Sequence, residues 1–205
     1  MSDYTPVFST DNQNPQLPPD KAMGCLPRKS RFGEWFPPAA ERIKLVPRSE
    51  WAALAKPNSM RPFVKTVLDQ DGVGSCATEG AAQAVMIARA VAGLPHVPLN
   101  PWFIYHTTSG GRDGGSSIDE NLAFIQRSGC APMSVWPREK GWRATPSAEA
   151  VAAAAEFRGI EVYDIASIDE MVSALLTGFA VVYGANGHCV VKVEHQNESQ
   201  GIDIN

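Results

Sequence analysis

Leu68-Asp69-Gln70-Asp71-Gly72-Val73-Gly74-Ser75-Cys76 sets a glutamine six residues ahead of a cysteine, and a long apolar run opens directly after that cysteine. Only a thiolate attacks a carbonyl, and a free thiol with a pKa of about 8.5 is mostly protonated at neutral pH. A helix N-terminus shifts that balance, because its first backbone N–H groups have no partner inside the helix and carry partial positive charge. Gly72 and Gly74 loosen the approach and Ser75 is the expected N-cap. Cys76 to Val91 then reads as an Ala-rich helix closed by Gly93, with small residues that suit a buried helix. In that layout the Gln70 amide and the Cys76 backbone N–H are two donors aimed where a tetrahedral intermediate develops negative charge on oxygen.

A cysteine at a helix start is also a common inert core residue. Context has to separate the two readings. Further along come Gly114-Gly115 with Ile118-Asp119-Glu120-Asn121-Leu122-Ala123-Phe124-Ile125 and Gly129, then Val135-Trp136-Pro137, then Gly187-His188-Cys189-Val190-Val191-Lys192-Val193, and last Gly201-Ile202-Asp203-Ile204-Asn205.

In this order and spacing, from about residue 63 to residue 205, the chain resembles the papain-like cysteine peptidases. The resemblance implies an α+β, papain-like cysteine proteinase fold, with a helical lobe over about 61–145 and an antiparallel β lobe over about 146–205. It implies Cys76 as nucleophile, His188 as its base and acid, Asn205 as the residue orienting the imidazole, and Gln70 as oxyanion donor. Ser75, Gly114 and Gly115 are expected to border the substrate cleft.

The chain has four histidines. His96 lies in the Pro-rich Leu94-Pro95-His96-Val97-Pro98 and His106 in Tyr105-His106-Thr107, so neither has a strand to aim it. His195 ends the strand that His188 begins. His188 alone has Gly before it and an Asn seventeen positions later. Two antiparallel strands joined at Gln196-Asn197-Glu198-Ser199-Gln200 would bring Asn205 toward His188. His188 would then take the proton of Cys76 and return it to the leaving amine, in the Cys-His-Asn form of the triad.

The departures from the family are specific. Ala77 stands where many relatives have Trp. The short run from Phe179 to His188 implies a tight turn at Gly184-Ala185-Asn186-Gly187 and a trimmed second lobe. Disulfide-forming cysteines have no evident counterpart. The chain stops at Asn205, where the family pattern continues with Ser-Trp-Gly and a further strand, so the C-terminal part of the β lobe is expected to be missing.

With 205 residues and 44% hydrophobic content the chain can bury a real core. A net charge of −4 and a pI near 5.6 give no sign of a nucleic-acid or anionic-membrane surface. The cysteines at 25, 76, 130 and 189 have neither zinc-ligand spacing nor a disulfide framework, which suits reduced thiols in a cytosol-like compartment, viral or cellular. No cofactor or metal is implied, the partner is a peptide or protein substrate, and the oligomeric state stays open. The polar N-terminus lacks a signal-peptide core, and no run has the length of a membrane span.

Residues 1–40, rich in Pro, Asn, Asp and Ser, read as an extended or disordered arm that Trp35-Phe36 could anchor on the body at 41–205. A short strand-like piece from Arg42 to Pro47 and a capped helical turn over Ser49–Leu54 are expected, then helices over Ile118–Arg127, Ser147–Phe157 and Ile168–Leu176, and strands over Ile160–Ile165, Phe179–Tyr183, Cys189–Glu194 and Gly201–Asn205. Trp102, Phe103, Tyr105 and Trp136 suit packing better than a substrate groove. Gly110 to Gly115 lacks the lysine and strand of a phosphate loop, and Asp119-Glu120 suits a helix start. Two other readings stay open: a catalytically silent papain-like binding or assembly module, and another Cys-His amide chemistry such as acyl transfer or amidase action.

Overall fold

The computed structural model describes residues 23–159, 161–197 and 200–204. Strand β1 (Cys25–Leu26) is followed by helices α1 (Arg48–Ala55), α2 (Cys76–Val91) and α3 (Trp102–Thr108). Then come strand β2 (Ser116–Ser117), helices α4 (Ile118–Ser128), α5 (Ala148–Ala154) and α6 (Ile168–Leu176), and strands β3 (Val181–Ala185), β4 (His188–Asn197) and β5 (Gln200–Ile204). The architecture is α+β: helices around α2, and an antiparallel sheet ordered β3-β4-β5.

Helix α2 is buried on two sides, which explains its composition. On one side Ala81, Ala82, Val85 and Met86 pack with Phe103 and Ile104 of α3, Ile125 of α4, and Phe157 in the bend after α5. On the other, Ile87 joins Met60, Ala174, Leu175, Val191 and Val193 in the core beneath the sheet. Small residues let strand and helix backbones approach closely. A Cβ at Gly80 would stand 2.6 Å from the Cys189 sulfur.

The hairpin joining β3 to β4 turns on two residues, Asn186 (φ 50°) and Gly187 (φ 79°). Positive φ at both central positions is what a two-residue type I′ loop requires, and its twist matches that of the flanking strands. Ala185 pairs with His188 and Gly184 with Cys189. The tight turn read from Gly184–Gly187 is therefore found, two residues long.

Some expectations need correction. The strand expected over Ile160–Ile165 is not found in its described residues, 161–165, which make one parallel bridge, Asp164 to Pro38, where Pro37 and Pro38 have no N–H to extend a ladder. Trp102–Thr108 is a helix that the sequence reading left unassigned, and Trp102, Phe103 and Tyr105 are buried on it. Ser147 and Ser167 cap α5 and α6, accepting from Ala150 N at 3.2 Å and Glu170 N at 3.1 Å. Ser75, the expected cap of α2, makes no side-chain cap bond.

Candidate active site

Cys76 is the first residue of α2, and the turn before it is closed by its own backbone. Val73 N donates to Gln70 O at 2.9 Å, Ser75 N to Val73 O at 2.7 Å, and Gln70 Nε2 to Val73 O at 2.8 Å. The Gln70 amide, which carries two N–H donors, is thus fastened under the turn that presents the sulfur. The turn is also tied to the Gly-Gly loop. Asp113 Oδ1 accepts from Gly74 N at 2.8 Å and from the Tyr105 hydroxyl at 2.9 Å, and that hydroxyl accepts from Gly115 N at 3.1 Å. Burial, with the Asp113 carboxylate beside it, pushes the Tyr105 pKa up, so the phenol stays protonated as the bridge.

A second network, which the sequence reading missed, lies under the turn that precedes Cys76. The Ser75 hydroxyl donates to Glu79 Oε1 at 3.0 Å and accepts from Trp102 Nε1 at 3.2 Å. Arg138 meets Glu79 at 3.3 Å and Asp71 at 3.3 Å, and its guanidinium lies 4.1 Å from the Trp102 ring centroid. Burial lifts the Glu79 carboxyl to about 7, against the pull of Arg138. This network occupies the Ser75 side chain, which explains the missing cap. The available signal was a glutamate inside the small-residue run Ala77-Thr78-Glu79-Gly80-Ala81. Beside it, Cys76, Glu79, Gly80, Gln83 and Cys189 line a cavity of about 20 Å³, room for about one water.

The first residues of β4 meet the start of α2. The backbone N–H groups of Cys189, Gly24 and Ala77 point at the Cys76 sulfur, yet burial outweighs them and pushes the thiol up to about 11. With Cys76 only 2% exposed, the sulfur rests as a neutral thiol. His188, the residue before Cys189, opens β4 and is also 2% exposed. His195 is placed elsewhere: its ring meets Trp51 edge to face at 5.2 Å, beside α1. The β4–β5 register is described as far as Val191 opposite Ile204, and Asn205 lies outside the described residues.

The cover over Cys76 is the N-terminal arm. Gly24 O accepts from Ser116 N at 2.9 Å, Cys25 N donates to Gly187 O at 2.8 Å, and β1 pairs in parallel with β2, Cys25 opposite Ser116. Gly24 passes between the two glycine loops. A Cβ on it would stand 2.0 Å from Gly74 O, and a Cβ on Gly115 would stand 2.5 Å from Gly24 O. Gly115, expected at the cleft, is thus in contact with the arm; Gly114 lies in open space next to it.

Two carboxylates fasten the arm beyond this point. Asp119 Oδ2 accepts from Lys29 N at 2.8 Å, Ser30 N at 2.6 Å and Ser30 Oγ at 2.8 Å. Asp164 accepts from Arg28 Nη2 at 3.0 Å and from Gly33 N at 2.7 Å. Phe36 and Ala39 are buried, whereas Trp35 is exposed. Asp119, read as a helix-dipole residue, is therefore also the socket for the arm's backbone.

Neither a family model nor a curated protein sequence matches the chain. Solved structures do. Xylellain, a cysteine protease from Xylella fastidiosa, superposes with a TM-score of 0.63 at 19% identity, over 85% of this chain and 80% of that one. Two cathepsin proenzymes superpose at a TM-score of 0.53 each. ProCathepsin B S9 from Trypanosoma congolense matches at 14% identity over 91% of this chain and 77% of its own. Digestive procathepsin L 3 of the Tenebrio molitor larval midgut matches at 16% identity over 70% of this chain and 56% of its own. The fold is papain-like. The arm runs between the N-terminus of α2, where Gly24 meets Gly74, and the start of β4, where Cys25 N meets Gly187 O. Among the described residues, no helix is long and apolar enough to cross a membrane.

Proposed function

We propose that the chain is a cysteine peptidase held in a latent form by its own arm. The observation that carries this reading is that an extended peptide backbone, Gly24–Leu26, lies beside Cys76 and hydrogen-bonds both cleft edges, at Ser116 and Gly187. A surface that orders a peptide next to a thiol is suited to acyl transfer from a peptide substrate. Substrate binding requires the arm to leave.

In the open form His188 takes the proton of Cys76, and the thiolate attacks the scissile carbonyl. The oxyanion is held by Gln70 and the Cys76 N–H while the tetrahedral centre forms. His188 then protonates the leaving amine, the C–N bond breaks, and an acyl-thioester on Cys76 remains. Water, deprotonated by His188, releases the acid. Asn205 orients the imidazole throughout. The substrate is a peptide or protein, and none of these steps uses a metal or cofactor.

The test is hydrolysis of a quenched-peptide library by the chain with its arm dislodged, compared with the same protein carrying Cys76→Ala. Turnover that disappears in the variant supports the peptidase; turnover that survives, or none in either protein, refutes it. Added amines that divert the acyl-enzyme would point to a transferase. The silent-module reading is favoured by the covered, neutral Cys76 thiol. It predicts that Cys76 stays as slow toward iodoacetamide as Cys130 even after the arm is released.

A further inference from the structure

We propose that Cys25 and Cys189 form a reversible disulfide that staples the arm into the cleft, made by exchange with a low-molecular-weight disulfide. Three cysteines from three separate elements converge at the active site. Cys76 and Cys189 are buried in one cluster, and Cys25 of the arm packs against them beside Ile118 and Val182. Cys25 and Cys189 meet side chain to side chain in this cluster, close enough for each thiol to shift the pKa of the other. Cys189 faces Gly184 across the hairpin, and a Cβ on Gly184 would stand 2.9 Å from the Cys25 sulfur. The glycine leaves the space in which the arm's sulfur sits. All four cysteines are free thiols in this structure.

Access and reactivity agree with this placement. Cys25 is half-buried and lines an open surface groove with Leu26, Pro27, Arg28 and Asn186, so a small disulfide can reach it, whereas Cys189 is buried. The Cys189 thiol beside it lowers the Cys25 pKa, which favours its thiolate as the attacking group. The Cys25 thiolate attacks the small disulfide, forming a mixed disulfide and expelling one small thiolate. Cys189 gives up its proton and attacks the Cys25 sulfur, forming the Cys25–Cys189 bond and expelling the second. The two released thiolates take up the two protons lost by the protein. In sum, two protein thiols and one small disulfide become one protein disulfide and two small thiols.

This latch deepens the latent-peptidase reading, since the segment it fixes covers Cys76, but the bond itself is detected without any activity. The experiment treats the full chain with oxidised glutathione, digests it without reduction and maps the peptides by mass. The expected product joins the Cys25 and Cys189 peptides, with Cys76 alkylation by iodoacetamide slowed at least about tenfold, because the tethered segment no longer opens freely. Dithiothreitol should reverse both effects. Cys189→Ala should stop at a glutathione adduct on Cys25, and Cys25→Ser should give no cross-link to 189, so failure of one variant to fold leaves the other. The proposal is overturned if Cys25 ends as a glutathione adduct in the unsubstituted protein, if it joins Cys76 instead, or if the cross-link forms while Cys76 alkylates at its former rate.

Discussion

Gly24 and Gly74 touch backbone to backbone, leaving no space for a side chain: a Cβ on Gly24 would stand 2.0 Å from the Gly74 carbonyl oxygen. The arm can pass the turn before Cys76 this closely only because position 24 is glycine; a Cβ on Gly74 would point the other way, 3.1 Å from Asp113 Oδ1 and 3.2 Å from the Tyr105 hydroxyl.

Gly24→Ala should therefore expel the arm while leaving the body folded. An overpacked contact typically costs about 1–3 kcal/mol, enough to raise the open fraction by roughly fivefold to 150-fold. Rates of Cys76 alkylation, read by peptide mapping, should rise by that factor with the melting temperature of the body little changed.

Acid should also loosen the arm. Burial works to raise the Asp119 pKa, but the nearby Ser117 hydroxyl, together with bonds from the Ser30 backbone and hydroxyl and from the Lys29 backbone, overcomes it and holds the carboxyl below its usual range. A depressed pKa in the docked state means that the stabilisation is present above the undocked pKa and is lost as pH falls through the docked one. Limited proteolysis near residue 30 should be slow at neutral pH and fast in strong acid, and Asp119→Asn should make it fast at neutral pH.

Glu79 has the opposite sign. Burial lifts it from an ordinary 4.5 to about 7, so its contribution is present below about pH 4.5 and is lost as pH rises through about 7. By linkage the loss is on the order of 3 kcal/mol. Urea unfolding from pH 4 to 8 should show this fall, and Glu79→Gln should flatten it.

Gln70→Ala in arm-released protein should lower kcat by about a hundredfold to a thousandfold, the usual loss for one oxyanion donor. Asn205→Ala should weaken turnover without abolishing it, whereas Cys76→Ala should leave none. Steady-state kinetics on a single cleaved peptide would separate the three.

Much of this fold could be read locally. Helix α2 has the bounds expected from Ser75-Cys76 and Gly93, and α6 those expected from Ser167 and Gly178, because caps and glycines act over a few residues. The turn at Asn186-Gly187 was legible for the same reason. Helix α3 was not: aromatic and β-branched residues have modest helix propensity, and burial of Trp102, Phe103 and Tyr105 decides the matter instead. Ile160–Ile165 misled because β-branched residues favour a strand only where a partner strand exists. The docked arm was the least visible element. Its bonds are mainly from backbone groups to Ser116, Gly187 and Asp119, which leave no apolar periodicity in residues 23–34.

Latency by the arm requires that Cys76 become a His188-paired thiolate once the arm leaves. The direct measurement is the pH dependence of Cys76 alkylation in Gly24→Ala protein, with and without His188→Ala. Fast alkylation should persist well below about pH 8.5, the pKa of an ordinary thiol, and should be lost when His188 is removed. A single rise at about pH 8.5 or above, the same in both proteins, would contradict it.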